Sequence, residues 1–68
     1  MNANETPLQM ATRHVLEGRR IVEQQRRLID EQRKAGQHTT ESKELLRTFE
    51  ESLETFEAEL ADIIARTR

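Results

Sequence analysis

From Leu46 onward, the stretch LLRTFEESLETFEAELADII places Leu46, Phe49, Leu53, Phe56, Leu60 and Ile63 at spacings that alternate between three and four residues. This repeat lies close to the 3.6 residues of a helical turn and far from the two-residue period of a strand, so it predicts an amphipathic α-helix with a coiled-coil-like seam. Upstream, Leu8, Val15, Val22 and Ile29 recur every seventh residue, with Ala11, Gly18, Gln25 and Gln32 at the intervening seam positions. The first seam is therefore small or polar at every second position, while the second is large throughout. High charge and few aromatics, 35% and 3% of the 68 residues, also describe disordered chains. The apolar periodicity decides for helices.

The stretch RKAGQHTTES joins the two periodic segments and reads as a stop signal followed by a start signal. Gly36 can take the left-handed conformation that closes a helix, and Arg33 and Lys34 before it complement the terminal carbonyls. Thr39 or Thr40 can accept from the first amide groups of the next helix, with Glu41 in its first turn. Upstream, Thr6 before Pro7 reads as a cap with proline at the first helical position. The division that follows is a frayed segment 1–6, a helix 7–35, a turn 36–39 and a helix 40–66. A connection so short sets consecutive helices antiparallel, so the expected fold is all-α, a single two-helix hairpin.

Aligning the helices so that facing residue numbers sum to about 75 gives antiparallel pairs that can be checked for fit. Ile29 then meets Leu46, Val22 meets Leu53 and Val15 meets Leu60, with Gly18 near Phe56 and Gln25 near Phe49. The small residue lies opposite a large one, as interdigitation requires. Arg19 faces Glu57, Arg26 faces Glu50, and His14 lies near Glu59, charge pairs of the kind that set orientation. One pair disagrees, since Arg33 faces Lys43. Residues 5–35 carry seven basic and five acidic groups and residues 39–68 carry four and eight, so the two halves attract each other.

A chain this short removes only about 60% of its unfolded surface from water, and it usually needs a staple or a partner. Without cysteine there is neither a disulfide nor a thiolate metal site. Ile21, Leu28 and Ala35, with His14 ahead of them, lie one residue before the first seam, and Leu45 lies one before the second. Such an apolar flank on a charged surface marks an interaction site. The expected assembly is a symmetric homodimer, a four-helix bundle, with Ile21, Gln25, Leu28, Gln32 and Leu45 at the interface between copies. A helix from an unidentified protein partner is the alternative occupant of the groove.

The same residues argue against several other functions. The longest apolar runs are pairs, which predicts no membrane span or secretory signal and, with the absence of cysteine, a cytoplasmic protein. His14 lacks the glutamate three residues earlier that a di-iron bundle motif needs, because Ala11 stands there and Glu17 is on the wrong side. His38 falls in the turn. No phosphate loop, nucleophile elbow or zinc spacing occurs, and a hairpin offers no cleft to tune its many carboxylates, so neither an enzyme nor a cofactor is expected. Arg13, Arg20, Arg27 and Lys34 fall every seventh residue, with Arg19, Arg26 and Arg33 beside them, and this ridge could follow a nucleic-acid backbone. Acidic residues Glu17, Glu23, Asp30 and Glu31 interrupt it, and no aromatic residue on that helix can stack a base. An RNA- or DNA-binding hairpin dimer is accordingly the second functional expectation.

Taken together, RHVLEGRRIVEQQRRLI, the turn AGQHT and LLRTFEESLETFEAEL resemble a group of short proteobacterial proteins. These share a histidine and an EG pair early in helix one, a Gly-x-x-Thr turn and a Leu-Leu-x-x-Phe second helix. The resemblance implies a bacterial cytoplasmic hairpin and carries no activity to transfer. In architecture alone the chain is also similar to ROP, the plasmid RNA-binding hairpin dimer.

Overall fold

A computed structural model describes residues 4–67, and within them the chain forms two helices packed against each other. The first, α1, is Pro7–Lys34, and the second, α2, is Thr40–Arg66. Helix α1 starts with a reciprocal cap. The Gln9 amide donates to Thr6 Oγ1 at 3.1 Å and the Thr6 amide donates to Gln9 Oε1 at 2.9 Å, with Pro7 supplying a preset φ where no amide donor is needed. The frayed segment expected over 1–6 falls partly on residues 1–3, outside those described. Its last residues are held, since Thr6 caps the helix and Arg13 donates to both carboxylate oxygens of Glu5 at 3.0 Å.

The helix ends where the glycine stands. Gly36 has φ 72, its amide donates to the Arg33 carbonyl at 3.1 Å, and the Gln37 amide donates to the Gln32 carbonyl at 2.8 Å. This pair of bonds is the Schellman arrangement, which satisfies carbonyls the helix leaves open and reverses the chain. Ala35 is the capping residue, so α1 is one residue shorter than the sequence expectation. The start of α2 departs further from it. Neither hydroxyl expected to cap the helix bonds its first amides, and Thr39, at ψ 1, is not in the extended conformation that aims an N-cap oxygen at them. Its carbonyl accepts from the Lys43 amide at 2.9 Å, and Glu41 supplies the favourable charge.

Burial is divided unequally between the helices. Ala11, Val15, Gly18, Val22, Gln25 and Ile29 of α1 are buried, and no residue of α2 is. Small side chains disappear beneath large ones, whereas Leu46, Phe49, Leu53, Phe56, Leu60 and Ile63 are broader than the strip that faces them and stay half-exposed. Leu8 extends the α1 seam but is 40% exposed, because α2 ends at Arg66, about where its partner would stand. The molecule measures 49 × 22 × 14 Å and exposes 5588 Å². A compact protein of 8.0 kDa would expose about 4,500 Å² by the usual size scaling.

Contacts at the seam follow the expected register, with Ile29 and Leu46 lining one depression and Val22 and Leu53 another. A methyl group built on Gly18 would lie 3.1 Å from Leu53 Cδ1 and 3.6 Å from Phe56 Cδ2, so the glycine receives both side chains and not Phe56 alone. His14 packs its ring on Phe56, with centroids 5.1 Å apart, and does not pair with Glu59. Gln25 donates to the Ser42 carbonyl at 2.9 Å. Arg19 and Arg26 reach Glu57 and Glu50, the acids expected opposite them, at 3.4 and 3.0 Å.

Candidate functional site

Each seven-residue repeat can be lettered a to g, with seam residues at a and d. Val15, Val22, Ile29, Leu46, Leu53 and Leu60 then occupy a, and Gly18, Gln25, Gln32, Phe49, Phe56 and Ile63 occupy d. In an antiparallel pair the e residues of both helices share one edge of the hairpin and the g residues share the other. The ion pairs Arg19–Glu57 and Arg26–Glu50 join e to e and latch that edge. The opposite edge presents His14, Ile21 and Leu28 from α1 and Leu45, Ser52 and Glu59 from α2. No ion pair crosses between the helices there among the described residues.

This open edge is the candidate site. Leu28 is 42% exposed and Leu45 45%, large fractions for leucines within helices, and Ile21 is half-buried between them and His14. Met10, one turn before His14, extends the stripe and is also exposed. The two glutamines expected at an interface between copies have different fates. Gln25 is only 7% exposed and its amide is engaged inside the hairpin by Ser42, so it has no surface to give to a second chain. Gln32 is half-buried, and its Oε1 is shut off from solvent with no donor. An unmade bond of this kind costs free energy for as long as it lasts.

The basic ridge is largely neutralised. Arg13 bonds Glu5 and Glu17, Arg19 bonds Glu57, Arg26 bonds Glu50, Arg27 bonds Glu23 at 2.8 Å and Lys34 bonds Asp30 at 3.0 Å. Arg20, Arg33, Lys43 and Arg47 form no ion pair among the described residues. The Glu5 carboxyl is held below the ordinary carboxylate range, first by its hydrogen bond from Arg13, which outweighs the opposing effect of desolvation, and then by the charges of Arg13 and His14. The same contacts raise the Arg13 guanidinium. His38 is exposed in the turn.

One apolar feature had no counterpart in the seam pattern. Leu16 is 59% exposed and joins Leu8 and Thr12, with Arg13 and Glu17 alongside, in a shallow apolar patch on the outer face of α1. Its signal in the sequence is a leucine where the repeat calls for a polar residue. Among the described residues no group of three or more histidine, aspartate or glutamate side chains is placed to hold a metal ion, and no helix is long and apolar enough to cross a membrane. No protein-family model, curated protein or solved structure matches this chain. The likeness to short proteobacterial hairpins and to ROP therefore carries no part of the functional reading.

Proposed function

We propose that this hairpin is a non-enzymatic protein–protein interaction module that pairs with a second copy of itself through the open edge, giving a four-helix bundle. The observation that carries the reading is the unequal burial: every buried seam residue belongs to α1, while the leucines and phenylalanines of α2 remain half-exposed beside Leu28 and Leu45. Covering apolar area is worth about 25 cal/mol per Å², so a second layer of helices on this face is the available source of stability. A second copy suits the face because an isologous contact lets one stripe cover itself. Charge favours the same choice, since α1 of one copy laid on α2 of the other brings a basic helix against an acidic one.

Sedimentation equilibrium of the wild type and of Leu28→Glu tests this reading, with helix content followed by circular dichroism. The wild type should sediment as two chains of 8.0 kDa, and the variant as one with its helices intact. An unchanged mass in a folded variant would remove the open edge from the assembly. A wild type that is monomeric by itself but captures a different protein would assign the edge to a foreign helix.

A further inference from the structure

The latched edge has four steps, each seven residues from the last along α1; Thr12 and Ile64 make the first, and only the next two are ion pairs. Arg19–Glu57 and Arg26–Glu50 are followed by Arg33 and Lys43, two cations where the ladder needs an acid. Both line one depression of about 470 Å³ together with Ile29, Leu46, Arg26 and Asp30. Ile29 is buried and Leu46 half-buried, so the seam supplies an apolar floor. Arg26 is engaged by Glu50 and Asp30 by Lys34, which leaves the two charges of Arg33 and Lys43 without a carboxylate among the described residues.

Arg33 complements the carboxyl end of α1, but Lys43 has no such justification. It lies near the amino end of α2, where the helix dipole favours an acidic side chain, and it faces a like charge. A residue that breaks local rules without a structural return marks a place where function is to be sought. The depression is an open groove on the surface, and an arginine beside a lysine there suits a carboxylate or phosphate oxygen pair.

We propose that this depression binds a small anionic amphiphile, its carboxylate or phosphate head between Arg33 and Lys43 and its short apolar chain on Ile29 and Leu46. The site is on the edge opposite the one proposed to self-associate, so the two functions are separable. Amide correlation spectra of the full chain, titrated with hexanoate and separately with hexyl phosphate, test it. The amides around Arg33 and Lys43 should shift saturably with at least one of the two, and the one that binds names the head group. That ligand should bind at least about tenfold more tightly than inorganic phosphate or hexanol, each of which offers half of the interaction. Lys43→Glu, which completes the ladder and suits the helix dipole, should keep the fold and weaken binding by at least about tenfold, while Leu28→Glu leaves it unchanged. Absence of a saturable shift with both amphiphiles, equal affinity for inorganic phosphate, or undiminished binding by Lys43→Glu overturns the proposal.

Discussion

Gly18 sits in the middle of a long helix, where glycine costs about 1 kcal/mol relative to alanine. What it gains is space, because a side chain there would meet Leu53 at 3.1 Å. Gly18→Leu is therefore expected to destabilise the hairpin by about 1–3 kcal/mol in urea unfolding, through overpacking against Leu53 and Phe56. A variant more stable than the wild type would place that glycine away from the seam. Glu5 makes a different kind of test. Its folded-state carboxyl is depressed, so the stabilisation from the Arg13 contact is present above the ordinary carboxylate range and is lost as pH falls through the lower folded value. A carboxyl-carbon titration should find Glu5 below the ordinary carboxylate range, and Arg13→Gln should raise it. That Glu5 turns back on the helix was not legible in the sequence, because a contact eight residues away and outside the periodic pattern leaves no signal in spacing.

At the scale of elements, both helices were legible because each repeats its apolar residues at helical spacing over several turns, and the turn was legible because glycine takes without steric cost the φ that reverses the chain. A methyl group added at Gly36 would touch nothing within 4 Å, so Gly36→Ala isolates the cost of backbone conformation alone. It should lower stability by on the order of 1 kcal/mol, read as a shift of the urea midpoint with no change in slope. The finer geometry was less legible. Spacing predicts the pairs that meet along the seam but not what a polar seam residue bonds, and Gln25 reaches the Ser42 carbonyl. Nor does it show that His14 packs its ring on Phe56 in place of pairing with Glu59. Thr39 failed as a cap, since a capping side chain is useful only when its own backbone is extended.

The whole molecule is a flat rod, latched by arginine–glutamate pairs on one edge and apolar on the other. Exposed pairs of that kind contribute little stability, typically less than about 1 kcal/mol each, so the latch chooses the hairpin's orientation more than it holds the hairpin together. The apolar edge was legible as a flank one residue before each seam. Gln25 was misplaced because a polar seam residue can satisfy a neighbouring chain or its own, and composition does not distinguish the two. Association through this edge is the central claim, and intermolecular contacts between labelled and unlabelled chains test it most directly. In an isotope-filtered nuclear Overhauser experiment on an equimolar mixture, methyl groups of Ile21, Leu28 and Leu45 should show contacts to the unlabelled copy. Filtered contacts confined to Leu16 and Leu8, or none at concentrations where the chain sediments as a dimer, would contradict it.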